Sequence, residues 1–343
     1  MKNRIRIMMV LFTFVFALMA MQPAIMAADQ PIKWRMAILY PRATEYAKVY
    51  LDFLNYIKVM SGGRLVVDAV FDGEGVPAPQ MFGSIKSGLI EMGQPWMPLH
   101  AGEIPVGVIE AGLPGMPADY AALWGIYEKS GLKDVLRKAY GEQGVYWAAE
   151  IFQPACYAIT KKEIKSLEDL KNMKLRALGA YGKMMREFGA SPVSLAFGEV
   201  YTSLATGVVD GNVGSQITDF RDAKFYEVAK WFFPLPVAGY QAAPILVNMK
   251  AWNKLSDELK MIFEAACYRH AVDMRVYCLI NERAAFKEMQ AAGMKVSPMP
   301  SAEEQTRWFE AGRSVWDDYA AADKHSAEAI KVIRAFIQEY QIK

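Results

Sequence analysis

Residues Ser166 to Gln216 read SLEDLKNMKLRALGAYGKMMREFGASPVSLAFGEVYTSLATGVVDGNVGSQ. Ser166 and Asp169 have the spacing of a capping box, so a helical turn opens there. Lys174 to Leu178 then reads as a short strand, with Leu175 and Ala177 on one side and Arg176 on the other. Gly179 permits a close turn into a helix over 180–188, which ends at Gly189. An arginine near a strand end, beside a helix N-terminus, is placed to grip an anion through two parallel hydrogen bonds. The same residue also reads as a surface arginine paired with Asp169 or Glu199. Periodicity alone does not separate the two.

Working outward, strands and helices alternate. Lys33–Leu39 alternates as a strand and opens into Tyr40, a helix follows over 45–60, and Leu65–Phe71 is a second, valine-rich strand. This alternation is the pattern of an α/β layered fold. An internal echo adds to it. Ser84-Ile-Lys-Ser-Gly88-Leu-Ile-Glu91 resembles Ser203-Leu-Ala-Thr-Gly207-Val-Val-Asp210, each a helix end, a glycine suited to a left-handed cap and a short apolar strand closing on an acid. The echo predicts two similarly built lobes facing one cleft. Ligands of open α/β sheets collect at the carboxyl ends of strands, which nominates Gln94 and Trp96 in one lobe and Asn212, Ser215 and Gln216 in the other. Tyr40, directly after the first strand, joins these candidates.

From Asp257 to Ala292 the chain has 36 residues without proline or glycine, with Ser256 in front and Gly293 behind. As one helix this segment is ~54 Å long, enough to brace both lobes; two helices with an unmarked break are the alternative. Trp308, Phe309, Trp316 and Tyr319 follow at helical spacing and read as core packing.

The ends and the composition narrow the class. Lys2, Arg4 and Arg6 precede an apolar run over 7–21 and small residues at Ala24, Ala27 and Ala28, the layout of a secretory signal cleaved after Ala27 or Ala28. An uncleaved anchor is the alternative, although the run is short of the ~20 residues a spanning helix needs. The full chain has 39 Lys+Arg against 37 Asp+Glu; without residues 1–28 it has 36 against 37, a net charge of −1. That balance favours neither nucleic acid nor an anionic membrane. Cys267 and Cys278 sit three helical turns apart, ~16 Å and beyond bridging distance. With Cys156 they are expected as free, buried thiols.

Signals for catalysis are weak. The three histidines, His100, His270 and His325, show no ligand spacing. Zinc, nucleophile-elbow, redox-cysteine and phosphate-loop patterns are not found, so no cofactor, metal site or reaction is expected.

Three blocks inside the opening stretch carry a family resemblance: Leu167-x-Asp169-Leu170-Lys171-x-x-Lys174-x-Arg176, Phe188-Gly-Ala-Ser-Pro-Val193 and Glu199-Val-Tyr201-x-x-Leu204-x-x-Gly207-Val-Val-Asp-Gly211. The chain resembles the solute-binding proteins of TRAP (tripartite ATP-independent periplasmic) transporters, C4-dicarboxylate-binding type. The resemblance continues more weakly through Ser61-Gly-Gly-Arg-Leu65, Gly88-Leu-Ile-Glu-Met-Gly93 and the long helix. It implies a two-lobed α/β fold of the type II-like periplasmic-binding-protein kind, with hinges and a long lobe-spanning helix. The division expected is a signal over 1–28, one lobe from 29–153 plus about 241–282, and the other from 154–240 plus about 283–343. It further implies a monomer in the periplasm that delivers a small organic anion to membrane permease subunits.

By the same resemblance Arg176 stands at the family's carboxylate-clamping arginine and Phe197 at its aromatic wall, while Glu199 and Tyr201 are structural. Departures bear on the ligand. Sialic-acid-type members carry an arginine where this chain has Cys156 and an asparagine where it has Gly214. Members binding 2-oxo acids with a cation show an acid and an aromatic where it has Asn212-Val-Gly-Ser215. One arginine with Trp96, Tyr157, Phe197 and Tyr240 implies a small, singly charged anion, a carboxylate first and a sulfonate second.

Overall fold

The computed structural model describes residues 30–340 and 342. The expected secretory signal lies outside them. Two sheets organise the chain. The first has the order β2 (Leu65–Phe71), β1 (Ile32–Ile38), β3 (Met92–Gln94), β10 (Gln241–Asn248), β4 (Val145–Gln153). The second runs β11 (Lys295–Val296), β9 (Trp231–Ala238), β5 (Cys156–Thr160), β8 (Gly211–Ser215), β6 (Lys174–Arg176), β7 (Ser191–Val193). In each sheet a parallel group, β2-β1-β3 or β7-β6-β8, adjoins antiparallel strands. Parallel strands bury both faces, and each sheet accordingly has two apolar clusters. Trp147, Phe82 and Leu136 belong to one in the first lobe, with Phe53, Trp34 and Phe263 in the other. Leu175, Met184 and Trp308 belong to one in the second lobe, with Ile159, Phe220 and Phe232 in the other.

The chain passes between lobes at Pro154-Ala155, joining β4 to β5, and at Gly239-Tyr240, joining β9 to β10. The third link is the helix Asp257–Ala291, unbroken over 35 residues. It starts on Ser256, whose hydroxyl accepts the Leu259 N–H. Phe263, Cys267 and Met274 pack into the first lobe and Met289 into the second. One helix therefore braces both lobes, as its proline-free sequence suggests. The three cysteines are free and buried.

The echo is real, but its strands begin later than expected. Gly88 and Gly207 are left-handed helix caps with φ of 79° and 80°. The residues after them turn, and the strands start only at Met92 and Gly211. The paired acids explain the likeness: Glu91 accepts the Arg35 N–H of β1 at 2.8 Å, and Asp210 accepts the Lys174 N–H of β6 at 2.8 Å. Each pins the neighbouring parallel strand.

The C-terminal segment departs from the expected division. Trp308 packs in the second lobe, but Val315, Trp316, Ala329, Ile330 and Ile333 belong to the first lobe's core. The helix Lys324–Glu339 is amphipathic, and its apolar face is buried against that lobe.

Candidate functional site

Arg176 ends β6 and is only 6% exposed. Its Nε donates to the Leu195 carbonyl at 3.2 Å and its Nη1 to Asn212 Oδ1 at 3.5 Å. Asn212, in register beside it on β8, donates in turn to Ser215 Oγ at 3.0 Å. These partners are neutral. Neither Asp169 nor Glu199 pairs with the guanidinium: Asp169 accepts the Lys165 and Ser166 N–H groups, and Glu199 accepts that of Ala196. The surface-pair reading is thereby excluded. Among the described residues Arg176 makes no ion pair, and burial draws its pKa below the ordinary arginine range, with the charge of Asp219 opposing. A buried charge held only by neutral groups is a poor structural device and a good receptor for an anion.

Arg176 lines a cavity of about 510 Å³ between the lobes, within the usual span of ligand pockets. Trp96 and Leu113 come from the first lobe, Phe197, Ser215 and Asp219 from the second. Phe197 is 45% exposed, its inner edge resting on Phe225 with ring centroids 5.4 Å apart. An aromatic so open to solvent at a cavity wall is available to pack on something else.

At Gly214 a ring packs directly on the backbone. This residue has φ of 92°, and a Cβ built on it would stand 2.4 Å from the Tyr181 ring. Tyr181 fills that space, and its hydroxyl accepts from Gln241 Nε2 at 3.0 Å. A second-lobe side chain thus bonds to the first residue of β10.

Of the sequence candidates, Arg176, Trp96, Phe197 and Ser215 surround this cavity, with Asn212 buried behind Arg176. The others do not line it. Gln94 is fully buried with neither amide atom hydrogen-bonded. Tyr40 stacks on Tyr46 at 4.4 Å and donates to Gln153. Gln216 is the N-cap residue of the helix Ile217–Asp222. Tyr157 and Tyr240 face a separate cavity of about 120 Å³ with Arg275 and Glu282. There Arg275 donates to the Tyr240 hydroxyl at 2.6 Å and lies over the Tyr120 and Tyr240 rings. The reason is geometric: the strand-end rule finds the correct edge of each sheet, but only part of that edge borders the cleft.

Sequence reasoning missed Asp219, Tyr181, Gln241 and Tyr319, which line the main cavity. Asp219 is recognisable only as a capping-box acid, since its Oδ2 accepts the Gln216 N–H at 3.0 Å. Tyr319, read as core packing, does pack against the first lobe's core and also lines the cavity. Burial raises the Asp219 pKa, while nearby Arg176 opposes that shift.

The family model described as bacterial extracellular solute-binding protein, family 7, matches residues 37–323. A monocarboxylate 2-oxoacid-binding periplasmic protein of Nostoc is 28% identical over 275 residues, 78% of this chain and 74% of that protein. A C4-dicarboxylate-binding periplasmic protein of Rhodobacter capsulatus is 30% identical over 155 residues, 45% of each chain. Among solved structures, a TRAP periplasmic solute-binding protein of Rhodobacter sphaeroides superposes with TM-score 0.81 at 20% identity, covering 90% of this chain and 99% of that one. A Bordetella pertussis extracytoplasmic solute receptor binding pyroglutamic acid gives TM-score 0.70 at 19% identity, covering 88% and 99%. With two lobes, a cleft and a family match over most of its length, the chain belongs to bacterial extracellular solute-binding protein family 7, the TRAP-type periplasmic solute-binding proteins.

Proposed function

We propose that this protein captures a small monocarboxylate in the cleft between its lobes and delivers it to TRAP permease subunits, without making or breaking a bond. The observation that carries the reading is Arg176, a buried guanidinium on the cavity wall whose hydrogen-bond partners among the described residues are neutral. An entering carboxylate supplies the direct ion-pair partner that Asp219 does not, and closure of the lobes over it removes water, strengthening each contact. A charge-assisted hydrogen bond contributes ~1.5–3 kcal/mol net.

Trp96 and Phe197 then flank the apolar body of the ligand, and Asn212 steadies the guanidinium. Gln94, Tyr40, Tyr157, Gln216 and Tyr240 act on the scaffold and hinges. Residues 1–28 direct export and are removed. Relatives and structural neighbours support carboxylate capture more broadly: besides the 2-oxoacid and C4-dicarboxylate binders, structures of this fold hold pyroglutamate, malonate and β-D-glucuronate, and one holds an amino alcohol. A small sulfonate is the second reading, because it presents the same charge to the same guanidinium fork. An extracytoplasmic sensor role uses the same capture step with a different partner.

The test is a thermal-shift screen of small carboxylates and sulfonates on the purified protein. A ligand at 100 times its Kd adds ~2.7 kcal/mol, a clear rise in Tm. A rise with carboxylates is expected. A rise only with sulfonates replaces the ligand class, and none with any anion contradicts the reading.

A further inference from the structure

Arg176 is not the only ionisable group on the cavity wall. Asp219 faces the same space from the first turn of the helix Ile217–Asp222. Its Oδ2 is engaged by the Gln216 N–H, while its Oδ1 makes no hydrogen bond among the described residues. No cation pairs with it among the described residues. Gln241 adds a second acceptor from the first lobe: its Nε2 donates to the Tyr181 hydroxyl, and its Oε1 accepts no hydrogen bond among the described residues. Besides the Arg176 fork and the donors of Trp96, Ser215 and Tyr319, the cavity therefore offers two acceptor oxygens that accept no hydrogen bond among the described residues.

An anion with no donor of its own fits such a wall badly. It would meet the carboxylate of Asp219 as a second negative charge in a water-poor space and leave both acceptors unpaired on closure. We infer that the ligand is a carboxylic acid that also carries an O–H or N–H donor, its carboxylate held by Arg176 and its donor accepted by Asp219 or Gln241. Hydroxy acids, amino acids and cyclic amide acids belong to this class; plain fatty and arylacetic acids do not. The assignment rests on the anion-capture reading above and narrows it. Discrimination of this kind is steep, because an analogue lacking the donor strands buried acceptors.

The experiment is calorimetric titration with matched acids: L-lactate against propionate, mandelate against phenylacetate, and L-pyroglutamate against cyclopentanecarboxylate. At least one donor-bearing acid is expected to bind at least about tenfold tighter than its partner. Asp219→Asn keeps an oxygen for the Gln216 N–H, so the helix start survives, but it turns an amide donor toward the cavity. That variant is expected to lose or invert the preference, while Arg176→Ala weakens every acid alike. Equal binding within each pair, or a preference that survives Asp219→Asn, overturns the inference and leaves anion capture standing. Binding unaffected by Arg176→Ala, or no binding by any of these acids, overturns both.

Discussion

At the scale of single residues, the site is arranged by what surrounds each charge. Arg176 gains orientation from Leu195 and Asn212 without being neutralised. Gly214 matters for the opposite reason, because it has no side chain. With φ of 92° and the Tyr181 ring 2.4 Å from where a Cβ would stand, any substitution meets both backbone strain and overlap. Strain at positive φ costs about 1 kcal/mol, and overpacking typically ~1–3 kcal/mol. Gly214→Ala is therefore expected to lower Tm by several degrees and to displace Tyr181 from Gln241. Thermal denaturation checks the first effect, and weakened ligand affinity the second. An unchanged Tm would show that the ring moves freely.

Among the elements, the long helix is the part most legible in the sequence. Thirty-five residues without a breaker and a serine cap leave little choice, and its expected and observed bounds differ by one residue. The strand of Arg176 and its capping box were legible too, because both are local, although the strand ends at Arg176 rather than Leu178. The cavity wall was not, because Asp219, Gln241 and Tyr319 meet only through the packing of three distant segments. Nothing in the local pattern of a capping-box acid distinguishes one facing solvent from one facing a cleft. The same holds for the C-terminal helix, whose apolar stripe announces burial but not the lobe it is buried against.

The long helix also holds the second lobe directly. Glu282 accepts the Thr218 N–H and hydroxyl, each at 3.0 Å, and the Ile217 N–H at 3.3 Å. Removing that carboxylate strands two backbone donors at the start of the helix bearing Asp219. Glu282→Ala is expected to cost about 1–3 kcal/mol, read as a drop in Tm. A variant as stable as the parent would show that the contact is not a brace.

At the scale of the whole molecule, buried acids give a pH signature. Burial raises Glu110 and Glu282 to about 7 and Glu150 to about 8. Between their ordinary range and those values, the folded chain holds protons that the unfolded chain has released. Its stability therefore falls as pH rises through that window, by ~1.4 kcal/mol per unit for each group. His270, lowered to about 3 by burial, works the other way, but only below its ordinary value of 6.5. Three glutamates outweigh one histidine, so Tm is expected to be higher at pH 5 than at pH 8. Glu150→Gln, which replaces an acid with no side-chain hydrogen bond among the described residues, should reduce that fall. A Tm that rises from pH 5 to pH 8 would contradict the account.

The two lobes, three connections and a cleft between them make closure over an anion the central claim, and Arg176 is its centre. The most direct measurement is calorimetric titration of the strongest-binding acid into the parent protein and into Arg176→Ala, with Tm recorded for both. Stranding a buried ligand charge costs ~3–5 kcal/mol, so affinity is expected to fall by at least about a hundredfold while Tm without ligand stays close to the parent's. Unchanged affinity in a folded Arg176→Ala variant would remove Arg176 from the site.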